Sequence, residues 1–129
     1  MEILNEVKAC VLCIQNEKDE FLILERSHIC RLQGWCLPGG RIEDNENKLL
    51  AALREAKEET GIIVNVSDVN YIGEEPSVKG YMVGIFHIKL KNTPEVIISE
   101  EHEKFEWTSK PFDFNLAGNT GIYIEKILN

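Results

Sequence analysis

Apolar residues recur along this chain with two different periods. Over residues 7–14 (Val-Lys-Ala-Cys-Val-Leu-Cys-Ile) and 20–26 (Glu-Phe-Leu-Ile-Leu-Glu-Arg) they run almost unbroken, as in strands covered on both faces. The polar run Asn16-Glu17-Lys18-Asp19 between them reads as a turn, so the pair is expected to form a hairpin. From about Glu46 to Thr60 the period changes. Leu49, Ala52, Leu53 and Ala56 are three and four apart, which puts them on one face of a helix. Gly61 follows as a helix stop, and Ile62–Val66 is expected to begin a strand. Residues 69–75, 80–90 and 104–107 read as further strands, the second of them central. Gly121–Leu128 reads as a closing helix, with Ile122, Ile124, Ile127 and Leu128 apolar. Residues 27–45 read mostly as loop, with a short extended piece near Cys36 and Leu37, because Pro38 and two glycines break regular structure. Strands and helices interleave, which predicts an α/β sandwich: a mixed β-sheet between helix layers.

Composition bounds the reading. A length of 129 residues predicts a single domain, 1–129. Fourteen basic against 22 acidic residues give a formal net charge of −8, which argues against binding a nucleic acid polymer. It does not argue against a small phosphorylated molecule, because a bound metal reverses the local field. The segment Met1-Glu2-Ile3-Leu4-Asn5-Glu6 lacks a basic region followed by an apolar core, so no signal peptide is expected. No apolar run reaches the length of a membrane span. The expectation is a cytoplasmic protein with no membrane partner, as monomer or homodimer. Cys10, Cys13, Cys30 and Cys36 could be drawn as a four-thiolate zinc site. Cys10 and Cys13, however, lie three apart in a strand and so point to opposite faces. Reduced thiols serving as small core residues are expected instead.

The chemistry concentrates between Gly40 and Ile62. Glu55, Glu58 and Glu59 stand at i, i+3 and i+4 of the expected helix, on an arc separate from the apolar face. Like charges at that spacing repel by a few tenths of a kcal/mol per pair. A hard divalent cation, Mg²⁺ or Mn²⁺, turns that repulsion into attraction.

Gly40, five residues, Glu46, seven residues, then Arg54-Glu55-Ala56-x-Glu58-Glu59-x-Gly61-Ile62 resembles the Nudix box. Ala56 is smaller than the bulky residue usual at its position. Trp35-Cys36-Leu37-Pro38-Gly39-Gly40 is similar to the lead-in of that family. Phe21–Arg26 looks like its second strand, and Glu100, Glu101 and Glu103 with Trp107 like its later acidic segment. Asn45 stands where the family often has Gly; Asn is the next-best residue for a left-handed conformation.

The resemblance implies a MutT-like Nudix hydrolase on the Nudix α/β/α sandwich, splitting a pyrophosphate bond in a nucleoside diphosphate derivative. Its substrate would be a small nucleotide: a nucleoside triphosphate, oxidised or not, giving monophosphate and pyrophosphate. Alternatives are ADP-ribose, a dinucleoside polyphosphate or a nucleotide sugar, and a catalytically silent nucleotide-binding module. Glu58 and Glu59 would be the principal metal ligands. Glu55 would bind metal, act as general base, or both, and the carbonyl of Gly39 or Gly40 would complete the coordination. Glu101, among the candidates Glu100, Glu101 and Glu103, would add a carboxylate. Arg54 would pair with Glu46 to orient the metal-binding face. Arg26 would contact phosphate, or simply lie at the surface. Asn119 would read the base, or merely cap the last helix. His102, like His28 and His87, is given no chemical role. Pro76 and Tyr81 fall near, but not clearly on, positions that distinguish ADP-ribose and dinucleoside-polyphosphate relatives.

Overall fold

A computed structural model describes residues 6–129. The expectation about a signal peptide falls on residues 1–6, of which the first five lie outside the described residues. Seven strands form one mixed sheet. They are β1 (Val7–Gln15), β2 (Phe21–Arg26), β3 (Trp35–Cys36), β4 (Gly39–Arg41), β5 (Asn70–Pro76), β6 (Met82–Lys89) and β7 (His102–Thr108). Two helices, α1 (Lys48–Thr60) and α2 (Thr120–Leu128), cover it. β1 pairs in parallel with β6, β6 antiparallel with β5, and β2 antiparallel with β7.

The alternation of side chains along each strand sorts the core into two layers. Cys10, Leu12 and Ile14 of β1, Leu22 and Leu24 of β2, and Phe86 and Ile88 of β6 face α1, meeting Ala51, Ala52 and Ala56. Ala9 and Cys13, Phe21 and Ile23, Val83 and Ile85 face the other way, against Tyr123 and Ile124 of α2. Because one strand serves both layers, its sequence is a continuous apolar run. Three alanines on the buried face of α1 keep the helix close to the sheet. The expected sandwich is therefore found, and Cys10 and Cys13 do point to opposite faces, as free thiols.

Three local expectations are corrected. The hairpin of β1 and β2 closes only at its turn end, where Gln15 pairs with Phe21. Beyond that the two strands splay, and the segment 35–41 wedges between them. Trp35 and Cys36 pair with Glu25 and Leu24 of β2. Leu12 then donates its N–H to Pro38 O (2.9 Å). Gly39, Gly40 and Arg41 pair with Val11, Cys10 and Ala9 of β1. Pro38 breaks only the link between two short strands; the glycines continue the ladder. A Cβ on Gly39 would lie 2.3 Å from Cys10 O, so the close fit demands glycine there.

The second correction is at Ile62–Val66, which is not a strand. Asn65 Oδ1 accepts from Ser67 N (3.0 Å) and opens a single 3-10 turn, Val66–Asp68; such side-chain-to-backbone bonds compete with a ladder. Third, α1 begins at Lys48, not Glu46. The Asn47 side chain accepts from Leu49 N and Leu50 N, as a helix cap does. Gly61 ends the helix at φ 75°, with its N–H on Lys57 O.

Ile124 is fully buried where α2 meets the sheet. Ile124→Ala is expected to lower unfolding free energy by about 2–5 kcal/mol, measured by urea unfolding; a loss under 1 kcal/mol would mean that α2 is not part of the cooperative core.

Candidate functional site

The inserted segment sets the geometry of the acidic helix. β4 lies beside the C-terminal half of α1, and Gly40 faces Glu55 so closely that a Cβ there would sit 2.5 Å from Glu55 Cδ. Gly39 donates its N–H to Glu59 Oε1 (2.9 Å). Two glycines thus let a strand edge touch two carboxylates one helical turn apart.

Arg54 gathers the remaining acids. Its Nε and Nη2 grip Glu46 at 2.8 and 3.0 Å, a two-pronged contact. Nη1 bonds Glu55 Oε1 (3.0 Å) and Glu58 Oε1 (2.9 Å), and Nη2 reaches Arg41 O (3.1 Å). Glu43 lies 3.1 Å from Nε. The expected Arg54–Glu46 pair is present, and Arg54 also answers the repulsion between Glu55 and Glu58. Asn45 adopts φ 63°, so the loop before Glu46 keeps the left-handed turn that Gly would give.

The three helical glutamates are not equivalent. Glu58 has a side chain 54% exposed, Glu55 17%, and Glu59 as a residue only 4%. Burial pushes the Glu59 carboxyl up to about 8, helped by Glu55 and Glu101 and opposed by the Gly39 N–H. Burial also raises Glu55, against the pull of Arg54. Glu46 is held below the usual carboxylate range by Arg54.

The later acidic segment divides. Ser99 N bonds Glu59 O (3.3 Å) and Ile97 N bonds Thr60 O (2.9 Å), so this segment is tied to the C-terminal end of α1. Glu101 comes within reach of Glu59; together with His102 their ligand atoms lie within 4.8 Å of one another. Glu103 turns away to His28 Nδ1 (2.5 Å), and Glu100 is exposed. Of the three, Glu101, itself exposed, is the one grouped with Glu59 and His102. The cause is a bulge. β7 pairs Lys104 with Glu25 and then His102 with Arg26, skipping Glu103. The extra residue puts His102, in place of Glu103, on the face of Leu24 and Cys36. Residues missed from sequence therefore include His102; a bulge is set by pairing between distant strands, and nothing local marks it.

A cavity of about 340 Å³ opens on Gly39, Gly40 and Glu59. Arg26, Arg31 and Lys79 line it, with Tyr81, Asn119 and Tyr123. Arg26 is in the cleft wall, and its Nε donates to Leu32 O (2.7 Å). Asn119 precedes α2 but makes no capping bond with its side chain; Nδ2 donates to Pro76 O (2.8 Å). Asn119 is the N-cap residue of α2 by position, but its side chain does not supply the cap. Arg31, Lys79 and Tyr123 had no local pattern to single them out. The residues fit a divalent cation: acidic oxygens surround a buried carboxylate, and His102 Nδ1 is buried without a hydrogen-bond partner.

A raised carboxyl makes a signed prediction. Folded Glu59 holds its proton up to about pH 8, whereas the unfolded chain releases it near the ordinary 4.5. The folded state then binds more protons in that window, so stability falls as pH rises through it. Without metal, wild type is expected to lose stability relative to Glu59→Gln between about pH 4.5 and 8, measured by urea unfolding in EDTA; a pH-independent gap would refute the assignment.

Among the described residues no helix is long and apolar enough to cross a membrane. The NUDIX domain model matches residues 4–111. The asymmetrical bis(5'-nucleosyl)-tetraphosphatase of Mus musculus is 30% identical over 102 residues, 73% of this chain and 67% of that protein. An Ap4A hydrolase from C. elegans, solved as a binary complex, superposes with a TM-score of 0.74 at 26% identity, covering 94% of this chain and 96% of that one. The MutT protein of Methanosarcina mazei Go1 superposes at 0.66, with 27% identity over 84% and 80%. The chain spans only 26% of the length of another relative, a CMP-5'-(N-acetyl-N-hydroxy-3-aminopropyl)phosphonate hydrolase of Streptomyces rubellomurinus, at 41% identity over 54 residues. Box, sheet and relatives agree: the chain belongs to the NUDIX domain family, as a MutT-like Nudix hydrolase, an enzyme of pyrophosphate bonds.

Proposed function

We propose that this protein hydrolyses the polyphosphate bridge of a dinucleoside polyphosphate, cutting it asymmetrically, with Mg²⁺ or Mn²⁺ as cofactor. The observation that carries the reading is the cleft itself. Three cationic side chains, Arg26, Arg31 and Lys79, and two tyrosines, Tyr81 and Tyr123, share its wall with Glu59. Cations match a chain of phosphates better than a single one, and tyrosine rings give the nucleosides faces to stack on. The similarity to bis(5'-nucleosyl)-tetraphosphatases supports the same choice.

Glu55, Glu58 and Glu59 hold the cations in this proposal, with Glu101 and the Gly40 carbonyl beside them. Bound there, divalent ions would neutralise phosphate oxygens and lower the pKa of water. The protein's own part is to position and to move protons. Glu55, raised by burial, takes the proton of the attacking water; a base with a pKa nearer neutrality works best. Arg54 steers Glu55 and Glu58 through a single nitrogen, and Glu46 holds Arg54. Arg26, Arg31 and Lys79 meet the charge that develops on the leaving phosphate.

A second reading, hydrolysis of nucleoside triphosphates to monophosphate and pyrophosphate, draws support from Asn119. Its amide stands in the cleft wall, anchored on Pro76 O, where an amide can pair with a base edge.

With Mg²⁺, diadenosine tetraphosphate is expected to give ATP and AMP, identified by mass, faster than triphosphates, ADP-ribose or nucleotide sugars are turned over. Monophosphate plus pyrophosphate from triphosphates as the dominant activity would favour the second reading. Excess EDTA is expected to abolish turnover. Glu55→Gln is expected to lower kcat by roughly 10²–10⁴-fold with little change in KM, and Glu58→Lys to remove activity from a folded protein. A change confined to KM would make Glu55 a binding residue.

A further inference from the structure

His102 has no task in that scheme, yet the chain goes to some length to bury it. The bulge in β7 brings it inward, and the residue is 6% exposed. Its Nδ1 is buried with no hydrogen-bond partner. Its Nε2 meets only the Cys36 thiol, at 3.8 Å, a weak partner. A buried polar atom left alone calls for an explanation such as an ion or ordered water. One ring nitrogen of His102 and carboxylate oxygens of Glu59 and Glu101 lie within 4.8 Å of one another. Donors around a common ion at ~2.1 Å stand roughly 3–3.5 Å apart, so displacements on the order of 1 Å close the set.

We propose that Glu59, Glu101 and His102 form a mixed nitrogen–oxygen position for a divalent transition ion of the Mn²⁺, Co²⁺ or Zn²⁺ class, at which Mg²⁺ is disfavoured. The proposal rests on the reading that this cleft works with divalent cations, and adds a position with its own ion preference. Imidazole suits transition ions, whereas Mg²⁺ takes oxygen and keeps several waters. Two carboxylates balance the ion's charge. The pairing of Arg26 with His102 across the bulge puts a phosphate-seeking guanidinium beside the ion, so the position lies where the phosphate chain and the acidic helix meet.

The test uses Mn²⁺ as probe, bound at one equivalent to the full chain, and reads electron spin-echo modulation. Nitrogen modulation is expected, changing with ¹⁵N-histidine labelling of the wild-type protein and disappearing in His102→Gln. Mn²⁺ is expected to bind at least tenfold more tightly than Mg²⁺ in competition, with the ratio falling several-fold in that variant. The signal is expected to persist in a His28→Gln/His87→Gln double variant, which assigns it to His102 even where His102→Gln fails to fold. No nitrogen modulation in wild type, or its loss in the double variant, overturns the proposal. Hydrolysis supported by Mg²⁺ without nitrogen modulation sinks this position alone. Nitrogen modulation without hydrolysis of any substrate upholds the position and sinks the substrate reading.

Discussion

The guanidinium of Arg54 is the fixed point about which the acidic end of this molecule is arranged. Within one loop and helix, Glu43, Glu46, Glu55 and Glu58 all come to its edge. An arginine can do this because its donors form a rigid planar fork and its charge does not titrate away. A lysine would offer one point of attraction and leave the others to repel. The hydrogen bonds it donates to Glu46, Glu58 and Glu55 raise the guanidinium's own affinity for its proton further. Glu59 stands outside this arrangement. It lies one turn along from Glu55 against Gly39, and burial raises its proton affinity despite the Gly39 N–H, while Arg54 lowers that of Glu46. The loop before α1 and the helix itself thereby carry carboxyls of different character, which is how a single fold obtains both an anchored anion and a proton acceptor.

The sheet serves that arrangement at a specific cost. Splaying β1 from β2 gives up direct hairpin bonds over most of their length, and the segment 35–41 restores them with shorter ladders on both sides. What is gained is a strand edge made of two glycines, narrow enough for two carboxylates to rest against it. The layers above and below follow from simple alternation. Alternation breaks between Val7 and Ala9, between Tyr71 and Gly73, and at the skipped Glu103; the last lies at the site, where bulges commonly re-aim a side chain.

Much of this is legible in the sequence. The apolar runs located β1 and β2 to within a residue or so, and the spacing of Leu49, Ala52, Leu53 and Ala56 identified α1. The box glutamates and Arg54 were legible because their chemistry is local: all lie on one helix and the loop before it. Asn45 was legible for the same reason. The failures share a different cause. Gly39–Arg41 looks like loop because its ladder partner, Ala9–Val11 of β1, lies about thirty residues back in the chain. Ile62–Val66 has strand-like residues, but Asn65 turns the chain through a bond no hydrophobic pattern records. His102 looked isolated because its partners, Glu59 on α1 and Cys36 on β3, come from other elements. The bond from the Asn119 amide to Pro76 O, over forty residues back in the chain, is likewise invisible to a local pattern.

The pairing of β1 with β6, Val7 to Met82 through Gln15 to Lys89, has a consequence for synthesis and assembly. During translation the acidic helix emerges long before the strand that completes the bed beneath it. β2 waits longer still for β7, which carries His102. A nascent chain therefore holds its carboxylates on a helix with one unfinished sheet edge, and long-range pairings of this kind form slowly. Capture of a divalent cation by the finished site, with ligands drawn from α1 and from the turn into β7, would favour the completed topology over its precursors. The turn into β7 and its first residue bring Glu101 and His102, so folding and the capacity to bind the proposed ion would be completed together.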